Sequence, residues 1–460
     1  MTPVTSAYAL AYGTFLLIGG RFGDLFGHRR IYIFGVTWFS IWAVVNGFAH
    51  NAVVMSIGRA LEWVLGLQCL RTFALAVFGG TGAAGSVIGV LLGGILGSTI
   101  GWRWIFYFTA ILGFVMALLG FVVIPSEKGV SKVEDRRIDF LGVSTFTVGI
   151  VCVIFYLSEG PASGWAVAKT LAPFIVGMIL LVAFVFIDYK IDYPIMPLYI
   201  WKSRRLVASS LAIICVSAAT NAMVYFSSLL FQNVLKYSPL NTPLTYIVHG
   251  VGVVAVNIVV NKILSRVRTK VIMLFGWLLF IASGVVFAQA TEKSTYWSIP
   301  FPALILNFAG MAPVWLCCQI NSVADADDEN QGIVGAVYNV AQQIGTPIGI
   351  AIANIIANGK NSPAATGAEL LPGYRAAFYS YAVMAGVGLA VTIIFAANSD
   401  PFWREEITHE KVGQVVGDVK KSIRSGSQTS LASLENVSQF GEKAEMDDVG
   451  RPGEKTELRG

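Results

Sequence analysis

Long uncharged apolar runs govern what this 460-residue chain can become. About thirteen of them follow one another between Thr2 and Ala397, each near the ~20 residues that a helix needs to cross the hydrocarbon core of a bilayer. In lipid the backbone N–H and C=O groups find no water, so each run must close its own hydrogen bonds as a helix. Only 13% of the residues are charged and 55% are apolar, where a soluble protein carries about 25% charged residues. The fold class that follows is an all-α polytopic membrane protein, and an ordinary water-soluble enzyme is excluded. Among the clearest runs are Ile31 to Phe48, Trp104 to Ile124, Phe140 to Leu157, Leu171 to Ile187, Val207 to Phe231, Leu244 to Leu264, Val271 to Ala290, Pro300 to Ile320, Ile333 to Ala357 and Tyr374 to Ala397.

The loops carry the sidedness. Threading the runs alternately puts about 16 Lys or Arg on one side ahead of the tail, Arg71 and the groups around Arg29, Arg136, Arg204 and Arg266, and about 6 on the other. The positive-inside rule makes the richer side cytoplasmic. The net charge of +5 is thus spent on topology, and with no basic face or arm it predicts no nucleic-acid partner. The stretch 398–460, with its SGSQTSLASL and GEKTELRG segments, is too polar to bury a core and reads as a disordered cytoplasmic tail.

Cys69, Cys152, Cys215, Cys317 and Cys318 form no C-x-x-C pair and lie in apolar stretches, so they read as packing residues. His28, His50, His249 and His409 are far apart and lack metal-ligand spacing. Neither a metal nor another cofactor is expected. No nucleophile with a neighbouring base and no phosphate-binding loop of the G-x-x-x-x-G-K-[ST] type is visible, which argues against an enzyme and against direct ATP drive.

Four places carry chemistry. The loop Gly20-Arg21-Phe22-Gly23-Asp24-Leu25-Phe26-Gly27-His28-Arg29-Arg30 combines tight-turn glycines, one carboxylate and clustered cations between two spans. Asp24 can accept from a neighbouring helix N-terminus while the arginines hold the cytoplasmic side, a latch between helix ends; a basic loop that only sets topology reads equally well. Arg59 sits inside a run apolar enough to span, where a charge costs about 2.5 to 3.5 kcal/mol unless it is paired or snorkels, and Glu62 follows on the same helical face. Glycines at 85, 89, 93, 97 and 101, with Gly94 beside them, line one helix face and permit close helix approach. Asn339, Gln342, Gln343 and His249 either face a cavity or hydrogen-bond between helices.

Together these motifs resemble the major facilitator superfamily. Its loop signature G-x-L-x-D-R-x-G-R-[KR] is matched at Gly20, Asp24, Gly27 and Arg29, with Phe22 in the Leu position. The family's R-x-x-Q-G pattern is met by Arg59 but not by Glu62 and Trp63, and its antiporter signature G-x-x-x-G-P-x-x-G-G is met at Gly85, Gly89, Gly93 and Gly94, with Val90 replacing the Pro. Phe231-Gln232, Tyr237-Ser238-Pro239 and Ala341-Gln342-Gln343-Ile344-Gly345 extend the likeness. Two runs between what would be two six-helix bundles point to the 14-span drug:proton antiporters, fungal members above all.

The resemblance implies a major facilitator fold divided as 1–124, an N-terminal bundle; 125–138, a cytoplasmic loop; 139–188, two linker helices; 189–397, a C-terminal six-helix bundle; and 398–460, the tail. It implies a cytoplasmic gate at Gly20, Asp24, Gly27, Arg29 and Arg30, and proton coupling through Arg59 and Glu62. Two departures stand out, an absent first helix and a fourth helix shortened by roughly 20 to 25 residues near Glu62 to Arg71, a full span's worth. An incomplete or decayed copy of a 14-span transporter is therefore expected. The function implied is proton-coupled efflux of small hydrophobic drugs, toxins or secondary metabolites by alternating access. The alternatives are an ammonium-, borate- or aminotriazole-type carrier of the same family, an inactive remnant, or a non-transporting membrane sensor. The expected partners are a small-molecule substrate, protons and the lipid bilayer, for a monomer in the plasma membrane or, alternatively, the vacuolar membrane.

Overall fold

The computed structural model of the chain describes residues 28–49, 96–124, 139–191, 196, 198–238, 241–264, 266–326, 331–362 and 366–395, with isolated positions between 55 and 93. Helices α1 (His28–Gly47) and α2 (Arg103–Val123) pair with one another. The buried residues of α2 are Ala110, Gly113, Ala117 and Gly120, one narrow stripe, while Leu118, Val122 and Val123 point outward. Lipid selects this pattern, because helices associate in it by close packing and not by expelling water. Ser40 and Tyr32 of α1 occupy the space that a Cβ at Gly113 or Gly120 would need. Both ends of the pair are tied by arginine, Arg29 donating to the Phe121 carbonyl at 2.6 Å and Arg103 to the Ala49 carbonyl at 3.3 Å.

Helices α3 (Phe140–Ser163) and α4 (Ala168–Lys190) make a second pair, in which Gly149 and Gly177 bring the two backbones together and Phe146 packs on Phe184 at 5.0 Å. Asp139 caps α3 by accepting the Gly142 N–H at 2.7 Å. The apolar run predicts an end at Leu157, yet α3 continues to Ser163. Its last turn survives because Ser163 bonds Glu159 at 3.1 Å and Trp165 lies over Gly160.

Six further helices follow: α5 (Arg204–Leu229, prolonged by a π-helical turn Leu230–Val234), α6 (Ile247–Leu264), α7 (Thr269–Phe287), α8 (Pro300–Val323), α9 (Gln331–Asn358) and α10 (Leu371–Phe395). The predicted Leu244 run is broken at Tyr246, after a short helical turn Asn241–Thr245, where the phenol bonds Ser227 and Ser228 of α5 at 2.6 and 3.0 Å. α5 lies against α8, α9 and α10; α7 lies against α8 and α10; and α3 reaches this group through α9, with Ile150 and Ile154 in one cluster with Val337 and Val340. Among the described residues nine helices are long and apolar enough to span a membrane. The expected runs Thr2 to Gly20 and Ala52 to Leu70, and most of Phe73 to Ile100, lie outside the described residues.

These elements belong to a body comprising Met1–Lys262 and Thr269–Asn398; a second unit joins Ile263–Arg268 with Ser399–Gly460, and its described part is a turn in which the Arg266 and Val267 amides bond the Ile263 carbonyl. The tightest contact of the six-helix group is α5 on α9. A Cβ at Gly345 or Gly349 would strike the backbone of Ile214 or Ala218. Overpacking here has no flexible side chain to absorb it. Gly349→Leu is expected to cost about 1–3 kcal/mol and lower the melting temperature of the detergent-solubilised protein. Gly335→Leu, on the same helix with nothing within 4 Å among the described residues, is expected to leave it unchanged; equal losses in both would refute the contact.

Candidate functional site

Polar side chains inside the six-helix group fall into two sets, those that hold helices together and those left without partners. In the first set Asn221 of α5 donates to its own helix at the Ser217 carbonyl, 2.9 Å, and to the Thr346 hydroxyl of α9, 3.1 Å. The Ser217 hydroxyl meets the same Thr346 oxygen at 3.1 Å. Across the group, Trp277 of α7 donates to Thr392 of α10 at 2.9 Å, Tyr381 of α10 donates to the Phe280 carbonyl of α7 at 2.7 Å, and Asn307 of α8 donates to that Tyr381 oxygen at 3.1 Å. All are buried among Phe280, Phe287 and Phe378. In a medium without water such bonds fix rotation about each helix axis.

The second set is smaller. Among the described residues, Ser210 Oγ and Thr220 Oγ1 on α5, His249 Nδ1 and Asn257 Oδ1 on α6, and Asn307 Oδ1 on α8 are sealed from solvent and have no hydrogen-bond partner. Each orphaned atom costs about 1–3 kcal/mol, so five of them in one group of helices call for partners that the described residues do not supply. His249 lies edge-on to Phe308 of α8, ring centroids 6.2 Å apart, which puts His249 at the level of Asn307, with Asn257 about 12 Å further along α6.

Of the residues singled out in the sequence, His249 belongs to this second set. Asn339 spends its amide on the Gly335 carbonyl of its own helix at 2.8 Å, and Gln343 is buried, whereas Gln342 is partly exposed. Arg29 is engaged with α2 through the Phe121 carbonyl and ring, and Arg30 is exposed. Gly85, Gly89 and Gly93 have nothing within 4 Å of a Cβ position among the described residues. Gly20, Asp24, Gly27, Arg59, Glu62 and Gly94 lie outside the described residues. Asn257, Asn307 and Thr220 escape sequence reasoning because single polar residues in long apolar runs look alike; the only available signal is their position toward the middle of a run.

A buried carboxylate is the other unexpected feature. Asp188, near the end of α4, is 3% exposed; the Met196 backbone N–H bears on its carboxylate, no side-chain donor among the described residues does, and Asp139 at the α3 cap lies close enough to repel it. At the start of α5, by contrast, Asp325 is fully engaged, accepting from Ser203 at 2.7 Å and pairing with Arg205 at 3.3 Å.

The family model of the Major Facilitator Superfamily matches residues 70–350. The chain belongs to that superfamily of membrane transporters. It is 27% identical over 418 residues to the low affinity ammonium transporter of Saccharomyces cerevisiae, covering 85% of this chain and 80% of that one. It is 26% identical over 418 residues to the multidrug transporter mfsC of Aspergillus fumigatus, covering 86% and 80%. The crystal structure of the human organic anion transporter MFSD10 superposes with a TM-score of 0.58 at 13% identity, covering 85% of this chain and 83% of that one, and shows the shared fold.

Two substitutions test the two polar sets. Tyr381→Phe strands the Asn307 amide and should cost about 1–3 kcal/mol of thermal stability. Asp188→Asn removes a charge that no ion pair offsets, so it is expected to leave the melting temperature unchanged or raise it, whereas loss of a paired carboxylate would lower it.

Proposed function

We propose that the chain exports small, largely apolar molecules bearing one or two hydrogen-bonding groups, by alternating access and in exchange for protons. The observation that carries this reading is the set of polar atoms orphaned among the described residues at Ser210, Thr220, His249, Asn257 and Asn307. Packed helices without a ligand path would pair or omit such groups, since an unpaired polar atom away from water is costly. A passing solute supplies the missing partners for a short time and then leaves, which suits a carrier better than a permanent binding protein. The resemblance to mfsC, named as a multidrug transporter, favours efflux of this kind.

In this reading the loop bearing Gly20, Asp24, Gly27, Arg29 and Arg30 closes the cytoplasmic side, Arg59 and Glu62 take part in proton coupling, and the helix with Gly85, Gly89, Gly93 and Gly94 carries the antiport function. The plasma membrane is the site of action. A second reading, a carrier for ammonium or a similarly small cation, is favoured by the yeast relative, whose name is low affinity ammonium transporter.

Reconstitution of the full chain into liposomes separates the two. With the cytoplasmic face outward and the lumen acid, ethidium is expected to accumulate inside, and collapse of the pH gradient with nigericin should abolish this. Asp24→Asn should reduce the rate by at least about tenfold if the loop gates transport. Methylammonium flux without ethidium flux would replace efflux by the second reading, and flux of neither would refute both.

A further inference from the structure

The six helices α5 to α10 contain few side chains that exchange charge near neutral pH. Arg204 and Arg205 begin α5, Lys262 closes α6, Lys270 begins α7 and Arg375 lies in the first turn of α10, all close to a helix end. The cysteines and tyrosines of these helices ordinarily titrate well above neutrality. His249 is the exception in its chemistry: it lies in the first turn of α6, eight residues into the candidate span Asn241–Leu264. A membrane-embedded ionisable residue with no partner is rarely retained for packing alone.

Its surroundings explain how it is held. The edge of the imidazole meets Phe308 at 6.2 Å between centroids, and the Phe308 ring also fills the space beside Gly252, where any Cβ would collide with it. One aromatic ring from α8 therefore braces both the imidazole and the next turn of α6. Nδ1 is sealed away without a hydrogen-bond partner. Among the described residues no charged group bears on the ring. The titratable neighbours are phenols: Tyr246 on the preceding turn, held by Ser227 and Ser228, and Tyr296, which donates to the Thr245 carbonyl at 2.9 Å. Tyr296 lies in the loop between α7 and α8, where burial, then the neighbouring Tyr237, pushes its phenol up, so it stays neutral. α8 presents Phe308, and Asn307 beside it, with no charge.

We infer that His249 carries a proton through the transport cycle, binding it on one ring nitrogen in a hydrated conformation and surrendering it when Phe308 reseals the site. The inference rests on the proposed exchange function and gives it a residue in the described half. The balance is simple: one proton adds to the lone pair of the neutral imidazole to give an imidazolium, water on the opposite side then accepts that proton, and the neutral imidazole so restored is sealed again by Phe308. The conformation described here disfavours the charged form, because Nδ1 is sealed from solvent against Phe308 and no described residue offers an imidazolium an opposite charge. Protonation therefore favours whichever conformation brings water to α6, and release of the proton restores the sealed one. A change of charge state is in this way linked to a change of conformation by differential solvation alone.

The test uses the full chain in liposomes with ethidium as the probe, comparing accumulation driven by a pH gradient with counterflow, in which no net proton movement is needed. His249→Gln keeps a polar side chain and cannot be protonated. It is expected to lose gradient-driven accumulation at least about tenfold more than counterflow, and to lose the pH inflection of the wild-type rate. Phe308→Ala opens the ring to water and should move that inflection to higher pH. Equal gradient-driven accumulation in His249→Gln and wild type overturns the inference, as does equal loss of accumulation and counterflow, which would make His249 a structural or substrate-holding residue. A wild-type chain that neither accumulates nor exchanges ethidium, after the gradient is shown to be intact, removes the efflux reading and this inference with it.

Discussion

Close approach of helix backbones is the contact on which this structure depends. Water supplies no driving force between apolar surfaces inside a bilayer, so two helices gain from association only what short-range packing and hydrogen bonds provide. Gly345 and Gly349 let α9 settle on the Ile214 and Ala218 backbone of α5, Gly276 and Gly310 do the same between α7 and α8, and Gly149 and Gly177 between α3 and α4. Each contact fixes an interaxial distance. Large apolar side chains are then free to face lipid, which is where Leu118, Val122, Phe186 and Ile394 are found.

Distance alone leaves rotation about each axis undetermined, and the buried hydrogen bonds supply it. Trp277 to Thr392 sets α7 against α10, Tyr381 to Phe280 sets the same pair one layer on, and Asn307 adds α8 through the Tyr381 oxygen. Ser217, Asn221 and Thr346 do this for α5 and α9. With rotation fixed, the polar atoms left over acquire defined directions. The orphaned atoms of Ser210, Thr220 and Asn307, on α5 and α8, are in this sense a by-product of the same lock, held in place by helices that cannot turn to relieve them.

Span placement was legible in the sequence because lipid imposes a length and a composition on every crossing, and the apolar runs from Trp104 onward each return as a helix shifted by a few residues at its ends. The ends themselves were not legible where local side chains decided them, as Glu159, Ser163 and Trp165 do for α3 and Tyr246 does for α6. The family signature was legible because it is concentrated in loops and glycines. The partner of each polar residue was not, since hydropathy treats Asn339, bonded to its own Gly335, and Asn257, whose oxygen has none, as the same residue. Asp188 was passed over for a related reason: near a run's end it resembles an interfacial charge, and only the packing of α3 on α4 buries it.

The helices of the six-membered group are not held equally. α5 and α8 are buried along most of their length, whereas α6 is the least buried of the six and touches its neighbours mainly through side chains: Tyr246 on Ser227 and Ser228, Gly252 beneath Phe308, and Thr245 beneath Tyr296. Among the described contacts, its Gly252 meets the Phe308 side chain and not a neighbouring backbone, unlike the glycines that bind α9 to α5. A helix secured by side chains can shift at the cost of rotamer changes, while one secured by backbone contact moves only with its partner. The single titratable imidazole thus sits on the helix with the weakest hold, braced by one aromatic ring from a strongly held neighbour. Adding or removing charge there acts on the part of the group that offers least resistance, which is where a small change in solvation has the most mechanical effect.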